Sequence, residues 1–133
     1  MPPRTYTVEE ANRRLPEVRE AVGGIVQLTA YLPELEDQVR IAEYRRQRPG
    51  AGEDDAKAYK EILAKLEAAQ LELVTAMRRL DELQVQLKDP RTGLVDFLTY
   101  RDGEIVELCW KLGEAAVAHW HRIGEGFPGR KPL

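Results

Sequence analysis

The residues that could bind a metal ion lie close together near the C-terminus. The chain has one cysteine and two histidines, and a nearby glutamate brings the group to four: Cys109, Glu114, His119 and His121. Sulfur and imidazole are donors that zinc prefers, with a carboxylate or a water as a further ligand. One interpretation is therefore a metal-binding or enzymatic site for a divalent ion such as zinc.

The same residues also have a purely structural interpretation. Cys109 lies between Leu108 and Trp110, a context typical of a small buried side chain whose thiol is inert because burial raises its pKa. The two histidines would then flank Trp120 as ordinary polar residues of a sheet. The paired cysteines of a zinc finger are absent, because the chain has one cysteine. Metal binding is thus an alternative, and no other cofactor is indicated.

A second group of side chains could bind a nucleotide or nucleic acid. It combines aromatic and basic residues: Trp110, Trp120, His121, Arg122, Arg130 and Lys131. Arginine binds phosphate through two parallel hydrogen bonds, and a tryptophan ring can stack on a base. Alternatively, the tryptophans form the core of a sheet and the basic tail is solvated. The net charge of −3 argues against bulk nucleic-acid binding, which usually requires a basic surface.

Enzyme activity is uncertain from the sequence, and a non-catalytic protein is favoured. The chain contains no serine, which excludes a Ser-His-Asp hydrolase. It also lacks the phosphate-binding loop of P-loop enzymes. The catalytic residues therefore remain unknown.

The candidate site residues must be positioned by a C-terminal β-module over residues 88–133, which ends in a tail rich in glycine and proline. The β-rich runs 94–100 and 105–110 are separated by Asp102-Gly103, which indicates a type I′ hairpin turn. Residues 116–122 could form a third strand or a short helix, and we favour the strand, in which His119 and His121 point to the same face. We predict no regular structure for the tail.

Residues 7–87 predict a long antiparallel helical hairpin with a turn at the glycine- and proline-containing run 48–52. From Tyr59 to Leu87, apolar residues recur at alternating steps of three and four, which is typical of a coiled-coil-like seam. This pattern predicts a second helix over about 54–87. It also predicts that the seam packs against the first helix.

The first helix should begin with a capping box formed by Thr7 and Glu10. Pro16 and Pro33 interrupt its apolar stripe, and each proline removes a backbone donor. We therefore expect kinks at both prolines, with a short helix over 8–15 and a longer segment from 16 to about 47.

Together these patterns predict one α+β domain over residues 1–133, in which a kinked helical hairpin is followed by a small antiparallel β-meander. Two helices leave part of their apolar stripes exposed, so we expect a homodimer or a partner helix. The N-terminus lacks the apolar run of a signal peptide, and no apolar run is long enough to span a membrane. We therefore expect a cytoplasmic protein that does not bind membranes.

Three segments also carry a resemblance: TYTVEEANRRLPEVRE, LKDPRTGLVDF and RDGEIVELCWKLGEAAVAHWHRIGEGFPGRKPL. With them the chain resembles a bacterial family known as domain of unknown function 2203. That family often has tyrosine at the position of His119, so the resemblance implies no site that needs both histidines. It supports the boundaries of the domain and implies no activity. We therefore expect a non-catalytic interaction or structural module that self-associates through its hairpin.

Overall fold

The computed structural model describes residues 2–133, which form two long helices followed by a five-stranded antiparallel sheet. The elements are α1 (Val8–Gln47), α2 (Glu53–Glu82), β1 (Gln86–Asp89), β2 (Leu94–Arg101), β3 (Glu104–Lys111), β4 (His119–His121), a 3₁₀ turn (Phe127–Gly129) and β5 (Lys131–Pro132). The strands lie side by side in chain order. The predicted architecture, a helical hairpin followed by a meander, is confirmed.

Helix α1 begins at the predicted capping box. The Thr7 hydroxyl accepts a hydrogen bond from the Glu10 backbone N–H at 3.1 Å, and the Glu10 carboxylate accepts one from the Thr7 N–H at 3.2 Å. The apolar face that follows is buried, with Val18, Val22 and Ile25 fully enclosed in the main core. The local capping signal and the apolar stripe therefore fix where this helix starts and which face it buries.

Both prolines lie within one continuous α1 helix, so the separate helix predicted over 8–15 is wrong. A proline in a helix interior costs about 3 kcal/mol, since it removes one hydrogen bond and crowds the preceding turn. Leu15 and Val18 on either side of Pro16 are buried. Each such side chain contributes about 1.5–3 kcal/mol. Packing around Pro16 thus offsets the local penalty.

Helix α2 packs against α1 through the predicted seam. Leu66 and Ala69 are buried with Leu35 in a small core towards the tip of the hairpin, and Leu80 and Leu83 join the main core beside the sheet. Each seam residue from Tyr59 to Leu87 is at least partly buried. The central expectation, that the seam lies against the first helix, is confirmed.

The second helix ends earlier than predicted, at Glu82, and Leu87 lies in β1 instead. Gln84 turns the chain with a φ of 55°, and the Tyr6 hydroxyl donates a 2.5 Å hydrogen bond to the Leu83 carbonyl. Leu83, Val85 and Leu87 also fit a strand, because they alternate by two. The apolar pattern alone could not distinguish the last helical turn from a strand.

The sheet has one apolar face and one polar face. Phe97, Leu108 and Trp120 pair across β2, β3 and β4 and belong to the core formed with the helices. The β2–β3 turn has the predicted type I′ character, since Asp102 and Gly103 have φ angles of 53° and 78°. Alternation therefore places the intervening residues of these strands on the opposite face.

The third predicted strand is observed over His119–His121 only, and the tail is more ordered than predicted. It contains the 3₁₀ turn and β5, and the Leu133 N–H donates to the Ala118 carbonyl at 3.0 Å. The prediction of an irregular tail is therefore wrong at these positions. Within residues 2–133, neither helix combines the length and apolar character needed to cross a membrane.

Candidate metal centre

Four polar side chains are buried together on the sheet face that points away from the main core. Asp96 is 2% exposed, Glu107 4%, Cys109 0% and His121 1%. Asp96 is the direct cross-strand partner of Cys109, and Glu107 is the partner of His121. Side chains of directly paired residues lie on the same face, about 5 Å apart at Cβ. The registers of β2, β3 and β4 thus assemble what we call the polar cluster: Asp96, Glu107, Cys109 and His121.

The imidazole of His121 is held by hydrogen-bonding distances on both sides. Its Nδ1 lies 2.9 Å from the Arg122 carbonyl oxygen, and its Nε2 lies 3.2 Å from Asp96 Oδ1. A carbonyl can only accept, so Nδ1 carries the hydrogen. Nε2 is then the ring nitrogen that faces Asp96 Oδ1. Donation of the other ring N–H to a backbone carbonyl is the arrangement that orients histidines that bind metals.

Cys109 provides the third donor atom of this centre. Single ligand atoms of Asp96, Cys109 and His121 all lie within 4.8 Å of one another. Burial, and then the neighbouring Asp96 carboxylate, raise the pKa of the Cys109 thiol to about 11. The Arg130 guanidinium, with Nη1 4.0 Å from Sγ, acts in the opposite direction. A bound divalent cation would displace the thiol proton, as metals do at coordinating thiols.

Within the described residues, the polar cluster also contains a buried oxygen of Glu107 that has no hydrogen-bond partner. Its Oε2 has no donor within range among residues 2–133. Burial, and then the Asp96 carboxylate, raise the pKa of Glu107. A buried polar atom without a partner costs about 1–3 kcal/mol. Glu107 therefore belongs to the polar cluster by burial and register, while the three donor atoms that lie within 4.8 Å of one another come from Asp96, Cys109 and His121.

The other two predicted metal ligands, Glu114 and His119, lie outside the polar cluster. Glu114 accepts hydrogen bonds from Arg130 at 3.0 and 2.5 Å and from the Lys111 backbone N–H at 2.7 Å. Its pKa is lowered, chiefly by the bond from Arg130. His119 is the cross-strand partner of Cys109, but its Nδ1 lies 3.9 Å from Glu114 Oε2. Of the four predicted ligands, Cys109 and His121 lie together in the polar cluster, whereas Glu114 is hydrogen-bonded to Arg130.

The sequence interpretation missed Asp96 and Glu107, although a signal for both was present. Each acidic residue interrupts an otherwise apolar strand, in the runs Val-Asp-Phe and Val-Glu-Leu. In a strand that carries core residues on one side, such a position faces the opposite side of the sheet. Only the register shows that the two carboxylates meet there.

The residues predicted to bind a nucleotide are divided between the two faces of the sheet. Trp110 and Trp120 lie on the core side, and the Trp110 indole N–H donates to the Glu114 carbonyl at 3.1 Å. His121 lies on the polar side. Each basic member of the group is paired with a carboxylate: Arg122 with Glu104 at 3.6 Å, Arg130 with Glu114 at 2.5 Å and Lys131 with Glu125 at 3.2 Å.

The sequence was also compared with known proteins. A family model described as an uncharacterized conserved protein, DUF2203, matches residues 4–133. No curated protein and no solved structure matches the chain. The matched span contains both helices and all five strands.

Proposed function

The chain belongs to the DUF2203 family of uncharacterized conserved proteins, and from that premise we propose that it binds a divalent metal ion in the polar cluster. The observation that carries the proposal is the orientation of His121. Its Nδ1 is committed to the Arg122 carbonyl, and its Nε2 is aimed at Asp96 beside Cys109. With Nδ1 engaged by the carbonyl, Nε2 is the ring nitrogen that would coordinate an ion at this buried position, in place of its contact with Asp96.

The donor set favours zinc. Sulfur, imidazole nitrogen and carboxylate oxygen are the ligands found at zinc sites, where bonds of about 2.0–2.3 Å place neighbouring donors about 3.5 Å apart. The three donors start within 4.8 Å of one another, so small side-chain movements would close the site. A Zn²⁺ ion offsets the charges of the cysteine thiolate and of Asp96, which lowers the cost of burying them, and a Glu107 carboxylate as fourth ligand would leave one net negative charge.

Burial favours a structural role for the ion over a catalytic one. Cys109 is fully enclosed, and a side-chain movement that brought the unpartnered Glu107 Oε2 to the ion would complete four protein ligands. A zinc site closed by four protein ligands has no position for substrate, whereas catalytic sites keep one position open. The ion would join β2, β3 and β4 and stabilise the β-module. This agrees with the expectation of a non-catalytic module.

Metal content of untagged protein tests the proposal. We expect the wild-type chain, refolded with zinc and dialysed, to retain about one equivalent of zinc. His121→Ala and Cys109→Ala should lose it. His119→Ala is the matched control, because it removes a histidine on the same strand outside the polar cluster, and it should retain the ion. Metal-free wild-type protein, or equal zinc in His121→Ala and His119→Ala, would contradict the proposal.

We propose, as a second function, self-association through the hairpin. Large apolar side chains are exposed on the distal half of α1, with Tyr31 at 44%, Ile41 at 50% and Tyr44 at 70%. Acidic residues predominate over 34–37 of this half of the helix, and basic residues predominate over 45–48. An antiparallel second copy could therefore cover the apolar residues and match the charges.

Light scattering after size exclusion tests this second proposal. We expect a wild-type dimer that becomes monomeric on Tyr44→Glu. Ile123→Glu is the control, because Ile123 is 59% exposed but lies in the β-module. A wild-type monomer at all concentrations would contradict self-association, and so would equal dissociation of both variants.

A further inference from the structure

The structure contains a groove of about 790 Å³ along the edge of the sheet, between β1, the last turns of α2 and the N-terminal segment. In the described part of the chain, residues 2–133, strand β1 ends the sheet and pairs only with β2. One side of its backbone is therefore free to bind another strand. We propose that this edge docks an extended acidic segment of a partner protein, which adds to the sheet as a sixth strand.

The charge of the groove selects an acidic partner. Arg4, Arg78 and Lys88 line it, against a single acidic residue, Asp81. Within residues 2–133, none of the three cations has a carboxylate oxygen within 4.0 Å. Arg4 lies over the Tyr6 ring, with Cζ 4.5 Å from its centroid, and Lys88 also attracts Glu107, so Arg78 is the cation most available to a carboxylate of a ligand.

The same charges disfavour a second copy of this chain at the edge. Two copies joined through β1 would bring two sets of these cations together, and like charges directly opposite each other are destabilising. The register shift between Leu87 and Asp89 is an irregularity that both copies of β1 would have to accommodate if they paired with each other. A partner of opposite charge avoids the electrostatic repulsion.

Apolar side chains beside the edge provide the rest of the docking surface. Val74 and Met77 on α2 line the groove and are 48% and 45% exposed. Successive residues of a strand point to opposite sides. An added strand that alternates acidic and apolar residues could therefore cover this pair while it presents carboxylates to the cations.

The opposite wall of the groove is held in place by backbone hydrogen bonds. The Arg4 N–H donates to Gln84 Oε1 at 2.9 Å, and the Tyr6 N–H donates to the Leu98 carbonyl at 2.7 Å. The N-terminal segment is thus tied to the α2–β1 turn and to β2. Because this wall is already ordered, a partner strand could dock with little loss of conformational entropy in this chain.

Fluorescence anisotropy with a labelled, capped eight-residue peptide that alternates aspartate and valine tests the proposal. We expect micromolar binding that weakens with salt, and a loss of about ten-fold or more with Arg78→Glu. Arg45→Glu is the matched control, because it makes the same charge change near the far end of α1, and it should bind like wild type. Circular dichroism melts would establish that both variants are folded.

Two further peptides separate strand addition from simple charge attraction. A lysine–valine peptide should not bind, and the aspartate–valine peptide with N-methylated backbone amides should bind about ten-fold more weakly or not at all, because it cannot donate to β1. Equal binding of the methylated peptide would overturn the proposal, as would no saturable binding up to about 1 mM. A dimer that Arg78→Glu dissociates would assign the edge to a second copy and also overturn it.

Discussion

His121 Nε2 and Asp96 Oδ1 lie 3.2 Å apart across strand β3, although the two residues are 25 positions apart in the chain. Both side chains are only 2% exposed. The other ring nitrogen of His121 lies 2.9 Å from the Arg122 carbonyl oxygen, so the imidazole is held on both sides. The contact therefore joins β4 to β2 across the central strand.

Zinc should raise the melting temperature of the wild-type chain. An ion that binds only the folded state at 100 times its dissociation constant adds about 2.7 kcal/mol. For a chain of this size that corresponds to a rise of about 10 °C. Differential scanning fluorimetry with zinc and then with a chelator measures it, with Mg²⁺ as the control ion. A shift of the same size in His121→Ala would show that zinc acts elsewhere.

Acid should destabilise the chain partly through Glu114. Its pKa in the folded state is lowered from 4.5 by the hydrogen bond from Arg130, while His119 also faces it. The unfolded state therefore binds the proton first, so the contribution is present above the unfolded pKa and is lost as pH falls through the folded one.

Urea unfolding of wild type and Glu114→Gln at pH 7 and at about pH 3 measures this contribution. The variant should be less stable than wild type at pH 7, and the difference should shrink in acid. Glu125→Gln is a useful comparison, since Glu125 also has a lowered pKa but accepts its hydrogen bonds from the Arg122 backbone N–H and the Lys131 ammonium group. A stability difference between wild type and Glu114→Gln that is independent of pH would contradict the assignment.

Gly93→Ala should be clearly destabilising. Gly93 has a φ of 78°, and a Cβ there would lie 2.7 Å from Leu112 Cβ and 2.9 Å from Val22 Cγ1. Left-handed strain and overpacking together predict a loss of about 2–4 kcal/mol. Gly50→Ala is the control, because Gly50 has a similar φ of 85° with open space around it. Equal losses of unfolding free energy in denaturant titrations would show that the close contact has no consequence.

Leu66→Ala should destabilise the distal part of the hairpin by about 2–4 kcal/mol, since Leu66 is buried with Leu35 and Ala69. Leu71→Ala on the same helix should change stability little, because Leu71 is 67% exposed. Hydrogen exchange of α2 amides would locate the effect. Similar amide protection in both variants would show that the seam does not stabilise the hairpin near Leu66.

Much of the fold could be predicted because its signals are local. The capping box at Thr7, the Asp102-Gly103 turn and the Tyr59–Leu87 seam each follow from neighbouring residues and regular spacing. The local pattern also predicted a helix boundary at Pro16, and this prediction was wrong. A local rule cannot weigh the burial of Leu15 and Val18 against one lost hydrogen bond.

The sequence by itself determined a helical hairpin followed by a polar-and-apolar meander, and it identified Cys109 and His121 as candidate ligands. Only the tertiary structure decided that Asp96 and Glu107 join them and that Glu114 is bound by Arg130. The reason is that helix periodicity and turn chemistry act over a few residues, whereas a site on a sheet depends on the registers of several strands. Those registers are set by packing across the whole domain, which no local pattern encodes.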